Sequence, residues 1–100
     1  MKFGLDDNTV EQIHAIFTRY PKIERVIIYG SRAKGNFKKG SDIDLTIQGK
    51  GLTLAVLNKI ELELDDLYLP YTFDLSIYAQ ISDPDLIEHI DTIGLDFYKV

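Results

Sequence analysis

Two short strand-like runs separated by only a dozen residues constrain the fold of this chain more than any other feature. RVIIY at 25–29 is β-branched and aromatic, and DIDLTI at 42–47 alternates polar and apolar side chains. The connection turns at Gly30-Ser31, and a brief helical turn through about residue 36 leaves too little chain for a full parallel crossover. We therefore predict that the two strands belong to a mixed sheet.

The rest of the chain predicts three further helices and one further internal strand. Helical spacing of apolar residues, a proline near a first turn and a short β-branched run are the signals. In chain order we expect a helix over about 8–20 with Asn8 at its start and Pro21 after it, a helix over 52–68, a strand over 71–78, and a helix from Ser82-Asp83-Pro84 to about Ile93 that Gly94 ends. LDFYKV then forms a short strand or tail. This order, αβαβαβα, predicts an α+β (mixed α/β) fold with a small mixed β-sheet covered by helices.

Length and composition indicate one globular domain over residues 1–100. Such a chain, with 45% hydrophobic and 27% charged residues, can bury one core but has no room for a separate substrate domain. The absence of cysteine excludes disulfides, thiolate zinc sites and thiol nucleophiles, and it fits a reducing compartment. The start does not read as a signal peptide, and no apolar run approaches about 20 residues. We expect a cytoplasmic protein without a membrane partner.

Charge is distributed unevenly along the chain. Residues 1–50 carry nine Lys or Arg against six Asp or Glu, whereas residues 51–100 carry two against ten. Four basic residues and no acid lie within 30–41. One basic loop in an acidic protein favours a small anionic ligand at that loop, whereas a nucleic-acid binder more often has a broad basic face.

The turn between the first two strands has the features of a phosphate-binding site. Gly30 stands where a strand ends and a helical turn begins, and glycine there lets the backbone approach a ligand closely. Ser31 opens that turn, so its hydroxyl and the N–H groups behind it can bind a phosphate. Arg32 and Lys34 add positive charge at the same position.

Three aspartates supply the complementary feature, a candidate metal site. Asp42 and Asp44 are two residues apart on a predicted strand, so both carboxylates point to one side while Ile43 faces the core. Asp74, flanked by apolar residues on the next strand, can share that side. Carboxylates held together repel each other, and Mg²⁺ shared with substrate phosphates removes that cost. Each feature alone is more often a turn or a solvated strand; their order and spacing favour phosphoryl or nucleotidyl transfer.

Gly30-Ser31 followed by Asp42-Ile43-Asp44 resembles the signature of the DNA polymerase β-like nucleotidyltransferase superfamily. The fuller string GSRAKG…SDIDL is similar to the minimal nucleotidyltransferases of bacteria and archaea, in which GSRARG is the usual form. Lys34 replaces the customary arginine, which keeps the charge but loses the bidentate geometry. The resemblance extends to the closing pattern of isoleucine, glycine and tyrosine, here Ile90, Gly94 and Tyr98.

The resemblance implies a polymerase β-like nucleotidyltransferase fold and a role for each matching residue. Gly30 and Ser31, with Arg32 and Lys34 beside them, would bind the triphosphate of an NTP, and ATP is the expected substrate. Asp42 and Asp44 would hold two Mg²⁺ ions, and Asp74 would be the third metal-binding and catalytic carboxylate.

Family members of this size resemble antitoxins encoded beside a HEPN-domain ribonuclease, onto whose tyrosine they transfer AMP. The resemblance thus implies a HEPN toxin or similar helical protein as partner, in a hetero-oligomer, with no direct nucleic-acid partner. Two alternatives stay open: a catalytically idle antitoxin that blocks its partner sterically, and a small-molecule nucleotidyltransferase of the antibiotic-modifying type. We interpret His14 as solvent-facing and His89 as structural, because neither has a metal-ligand partner at useful spacing.

Overall fold

The computed structural model describes residues 1–100 and builds one mixed sheet with helices on both sides. The elements in chain order are α1 (Asp7–Phe17), β1 (Arg25–Tyr29), α2 (Ser31–Lys34), β2 (Ile43–Gln48), α3 (Leu54–Asp65), β3 (Phe73–Ile77), a 3₁₀ turn (Tyr78–Gln80), α4 (Pro84–Ile93) and β4 (Leu95–Lys99). The predicted order of elements is confirmed, and the closing LDFYKV forms a strand.

The sheet has the strand order β3-β2-β1-β4. Strand β1 lies antiparallel to both β2 and β4, and β2 lies parallel to β3. The connection from β1 to β2 contains only the four-residue helix α2, which is too short to cross the sheet as the helix of a parallel pair does, so the strands pair antiparallel. Between β2 and β3 the helix α3 supplies such a crossover. The predicted mixed sheet is therefore confirmed.

One face of the sheet, which we call the apolar face, is sealed by α1 and α3. The strands contribute aliphatic side chains from alternate positions, and the two helices contribute a row of apolar residues each. These side chains form a single cluster of buried residues that includes Val26, Ile28, Ile43, Leu45, Ile47, Leu75 and Ile77 from the first three strands, with Ile13, Ile16, Phe17, Leu57, Ile60 and Leu64 from the helices. Most of the core of the protein lies on this side.

The opposite face, which we call the carboxylate face, is covered by α4 over a much smaller cluster. Ile90 of α4 is buried against Ile27 and Tyr29 of β1. On β2 and β3 the same face carries polar residues, and a hydroxyl pair links the two strands, since Ser76 donates to Thr46 at 2.9 Å. Helix α4 begins at Asp83-Pro84 and ends before Gly94, as the sequence predicts.

The first helix differs from its prediction at both ends. Asp6, rather than Asn8, caps α1, because its carboxylate accepts the N–H of Thr9 at 2.7 Å. The helix ends at Phe17, several residues before Pro21. The expectation that His14 faces solvent is wrong, because its Nε2 lies 2.6 Å from the carbonyl oxygen of Phe97 and its ring packs edge-on against Phe97. None of the helices combines the length and apolar character needed to cross a membrane.

Candidate active site

Two of the predicted carboxylates stand side by side on the carboxylate face. In the parallel pairing of β2 with β3, Asp44 is the direct partner of Asp74, and in the antiparallel pairing with β1 it is the partner of Tyr29. Asp42 lies two positions before Asp44, as the loop residue that immediately precedes β2. Asp42 and Asp74 are exposed, whereas Asp44 is partly buried. The sheet register thus places Asp44 beside Asp74, and Asp42 lies near enough for its charge to act on the Asp44 carboxyl.

The electrostatics of this cluster are unfavourable without a cation. Burial raises the pKa of the Asp44 carboxyl, and the negative charges of Asp74 and then Asp42 raise it further. Burial likewise raises the pKa of the Tyr29 hydroxyl, with Asp74 and Asp44 as the next causes. Since nearby negative charges oppose ionisation of the same groups, a positive ligand at this position would relieve the repulsion.

The donor chemistry of the cluster fits magnesium that is shared with a nucleotide. The structure contains no preformed group of three His, Cys, Asp or Glu side chains that could hold a metal ion alone. Mg²⁺ does not need one, because it prefers hard oxygen ligands and commonly binds through one or two carboxylates together with substrate phosphates. The neighbouring carboxylates of Asp44 and Asp74 meet that description.

The turn after β1 brings the backbone directly against the carboxylate of Asp44. Gly30 has φ 74° and ψ −152°, a conformation that L residues rarely adopt. A Cβ atom at this position would lie 2.4 Å from Oδ2 of Asp44, so any side chain would displace the carboxylate. Ser31 follows as the first residue of α2 and is partly buried. Glycine is therefore required here by both conformation and space, and the predicted phosphate turn adjoins the predicted metal ligands.

Arg32 and Lys34 occupy different environments, although the sequence predicts that both add charge to the phosphate turn. Lys34 is exposed, whereas Arg32 is only 3% exposed. The guanidinium donates to the carbonyl oxygen of Ser41 from Nε at 3.1 Å and from Nη2 at 2.8 Å, and to that of Phe3 from Nη1 at 2.8 Å. Three of its N–H groups thus hold the loop before β2 and the turn before α1, and a contact between Arg32 and phosphate stays a prediction.

Two aromatic rings complete the enclosure of Arg32. Its guanidinium carbon lies 5.3 Å from the ring centroid of Phe37 and 5.0 Å from that of Tyr71, within the range of cation–π attraction. No acidic side chain pairs with Arg32 among the ion pairs of the structure. Backbone carbonyls and aromatic faces therefore compensate this buried cation.

One residue at the site has a contact that sequence reasoning missed. The sequence favours a structural role for His89 of α4, but its Nε2 accepts a hydrogen bond from the backbone N–H of Gly30 at 3.1 Å. Its ring also packs edge-on against Tyr29, with centroids 6.0 Å apart. The only signal in the sequence is that His89 precedes Ile90 on the last helix. Helical spacing shows that Ile90 faces the sheet but does not show which strand end lies beside it.

Comparisons with known proteins identify the family and the fold of the chain. The model of the family described as "Polymerase beta, Nucleotidyltransferase" matches residues 11–99. A chain from the crystal structure of a toxin–antitoxin with AMP-PNP is 20% identical, over 96% of this chain and 75% of that chain, with a TM-score of 0.73. No curated protein matches the sequence.

Two further solved structures share the fold. A chain from the complex of a tri-AMPylated Shewanella oneidensis HEPN toxin with an MNT antitoxin is 16% identical, over 96% of this chain and 74% of that chain, with a TM-score of 0.71. A candidate nucleotidyltransferase from Sulfolobus solfataricus is 18% identical, over 96% of this chain and 91% of that chain, with a TM-score of 0.51. At these identities the likeness shows the fold.

Proposed function

Since the chain belongs to the polymerase beta nucleotidyltransferase family, we propose that it transfers AMP from ATP to a hydroxyl group of a partner protein. The observation that carries this proposal is the pairing of Asp44 with Asp74 at one register, directly beside the Gly30-Ser31 turn. Transfer of a nucleotidyl group requires a backbone turn that binds phosphate beside carboxylates that can hold metal ions.

The phosphate side of the site is supplied by the turn and its flanking charge. The close approach of Gly30 to Asp44 would hold the triphosphate against the carboxylates, and the hydroxyl of Ser31 can donate to a phosphate oxygen. The exposed Lys34 can add a charge contact as a flexible point donor. Arg32 would act mainly by keeping the loop before Asp42 in place, because its hydrogen bonds are made to backbone carbonyls.

Asp42, Asp44 and Asp74 would hold two magnesium ions together with the phosphates. When bound, the ions would neutralise the charge of the triphosphate and of the leaving pyrophosphate. The carboxylates orient the α-phosphate towards the acceptor, and Asp74, which is exposed, can accept the proton of the attacking hydroxyl. The hydroxyl oxygen forms a bond to the α-phosphorus, the bond from that phosphorus to the bridging oxygen breaks, and pyrophosphate leaves in line.

The acceptor is proposed to be a HEPN-domain toxin, with this chain acting as its antitoxin. Two of the structural relatives come from toxin–antitoxin complexes, one with AMP-PNP and one with a tri-AMPylated HEPN toxin. The chain of 100 residues carries a net charge of −5, which would favour association with a basic, RNA-binding partner. We expect a hetero-oligomer of the two proteins in the cytoplasm.

The test is a transfer assay with the purified protein, ATP, Mg²⁺ and the helical protein encoded by the neighbouring gene. Mass spectrometry of that protein should show the addition of one or more AMP groups. Asp42→Asn and Asp44→Asn should each abolish transfer, because the amide keeps the shape of the carboxylate but removes the charge. Asp65→Asn, at the end of α3 on the opposite side of the sheet, is the matched control and should transfer normally.

Three outcomes would contradict the proposal in different ways. Full transfer by the Asp42 and Asp44 variants would overturn the assigned roles. Neutralisation of the toxin in cells by both variants, as efficient as by the wild type, would favour steric blocking by a catalytically idle antitoxin. Transfer of AMP to an aminoglycoside in the absence of any protein partner would favour a small-molecule nucleotidyltransferase.

A further inference from the structure

Helix α4 contacts the phosphate turn through the imidazole of His89. The N–H of Gly30 donates to Nε2 of His89 at 3.1 Å, although the two residues are 59 positions apart in the chain. An imidazole nitrogen accepts a hydrogen bond only when it carries no proton, so the neutral ring with its proton on Nδ1 is the form that fits. The ring also packs edge-on against Tyr29, 6.0 Å away between centroids.

Gly30 is thereby held from two directions. Its N–H is bound by His89, and its Cα lies so close to Asp44 that an added Cβ would stand 2.4 Å from Oδ2. The conformation at φ 74° and ψ −152° is one that glycine reaches among several others, so an external contact has to select it. The hydrogen bond to His89 does so, and it also uses the N–H of Gly30, which leaves phosphate binding to the groups that follow it.

The attachment of α4 makes this contact a rigid one. Ile90, the residue after His89, is only 1% exposed and packs against Ile27 of β1. At the end of the helix, a Cβ on Gly94 would lie 2.6 Å from Cγ2 of Ile27, so the backbone that follows α4 is in direct contact with β1. The position of α4 relative to β1 therefore determines where His89 holds Gly30.

We infer that His89 is a positioning residue of the transferase site: through the N–H of Gly30, it sets the distance between the phosphate turn and Asp44. This inference rests on the proposed function. Loss of the acceptor would let Gly30 adopt other conformations and move Ser31 relative to the carboxylates. Misplacement by about 1 Å of groups that orient a substrate can lower a rate by about a hundredfold.

The experiment compares His89→Leu with His89→Gln. Leucine fills a similar volume without an acceptor, whereas the side-chain oxygen of glutamine reaches about as far from the backbone as Nε2 does and can accept the same N–H. Glu88→Gln, at the exposed neighbouring position, is the control for changes on α4. The readouts are amide hydrogen exchange at Gly30, the dissociation constant for ATP with Mg²⁺, and kcat and KM for AMP transfer.

We expect His89→Leu to speed exchange at Gly30 about tenfold and to lower kcat/KM about 30- to 100-fold, with part of the loss in kcat, while thermal unfolding stays cooperative. His89→Gln should restore both values to within about threefold of the wild type, because the acceptor is replaced. Equal exchange and equal kinetics in the wild type and His89→Leu would overturn the inference. So would a His89→Gln variant as impaired as His89→Leu, since packing alone would then explain the loss.

Exchange at Gly30 also separates this inference from the proposed function. If the wild type neither binds ATP nor transfers AMP, the proposed function fails, and with it the purpose assigned to the contact. If the wild type is active and only exchange at Gly30 responds to His89→Leu, the proposed function stands and the positioning role is overturned.

Discussion

The two faces of the sheet are built from alternate residues of the same strands, and they differ in almost every physical property. On the apolar face, Leu45 and its neighbours belong to a cluster of 16 buried residues sealed by two helices. On the carboxylate face the corresponding cluster has three, Ile27, Tyr29 and Ile90, and one helix covers it. Beyond that helix, β2 and β3 present Asp44 and Asp74 next to each other.

Because of this difference, successive residues of one strand alternate between stabilising the fold and forming the candidate site. A strand points successive side chains to opposite faces, so Asp44 and Leu45 are covalent neighbours in different environments. Burial of apolar area on one face supplies most of the free energy of folding, and part of it offsets the repulsion among carboxylates on the other. Substitutions at adjacent positions should therefore have opposite consequences.

The largest effect on stability is expected for Leu45→Ala on the apolar face. Leu45 is fully buried, so its truncation leaves a cavity and should lower the free energy of unfolding by about 3 kcal/mol. Urea denaturation measures this value, and the folded fraction should retain transferase activity. A loss below about 1 kcal/mol would mean that the apolar face does not dominate the stability of the protein.

A smaller loss is expected for Ile90→Ala on the opposite face. Ile90 is nearly fully buried, but its cluster is small, so we expect a decrease of about 2 kcal/mol. Hydrogen exchange should speed up first in α4, because local opening of this helix leaves the main core intact. Uniform acceleration across all strands would show that the two faces unfold as one unit and would break the comparison.

Arg32→Lys tests the loop that leads into the carboxylate face. Lysine keeps the charge but cannot reproduce the donors to Ser41 and Phe3 or the stacking between two rings, so we expect a loss of about 1–2 kcal/mol. The melting temperature and the affinity for ATP should both decrease. Unchanged stability with unchanged ATP affinity would assign Arg32 the role of a simple phosphate charge, which lysine can also fill.

The smallest expected effect is a gain in stability for Asp44→Asn. Because the pKa of Asp44 is raised above its ordinary value of 3.8, the folded state holds this proton more tightly than the unfolded state does. As the pH rises from 3.8 to the higher pKa of the folded state, ionisation of Asp44 lowers the free energy of unfolding. This loss of stability persists at pH 7. Asparagine should remove it and raise the stability at pH 7 slightly, because solvent screens the charge of this partly exposed carboxylate.

Thermal melts over a range of pH measure this effect. The advantage of Asp44→Asn should disappear below pH 3.8, where the carboxyl is protonated in both states. An advantage that is independent of pH would point to packing, and a loss of stability at pH 7 would contradict the electrostatic description of the carboxylate face.

Local features of the site were accessible from the sequence because they depend on neighbours in the chain. The bounds of β1 at 25–29 follow from its composition, and the prediction that Asp42 and Asp44 share one side follows from strand periodicity. The mixed sheet follows from the length of the connection after β1. For Asp74, the apolar residues on either side of it indicated the face, and family resemblance indicated the role.

The remaining features depend on contacts between distant segments. The register that pairs Asp44 with Asp74 is set by the ladder between β2 and β3, and the contact of His89 with Gly30 is set by the packing of α4. The burial of Arg32 requires that the turn before α1 fold over it, which no periodic pattern encodes. Short polar residues also compete for capping positions, and at the start of α1 the cap is Asp6.

The parallel pairing of β2 with β3 also determines how this protein can tolerate insertions and deletions. The register of Asp44 and Asp74 is fixed by the ladder between the strands, whereas α3 and the turns around it only carry the chain from one strand to the next. Lengthening those turns leaves the two carboxylates opposite each other. Removing a single residue from within β3 would instead shift one part of the strand by one position and turn its side chains to the other face. Length variation in homologous chains should therefore concentrate between the strands and spare them.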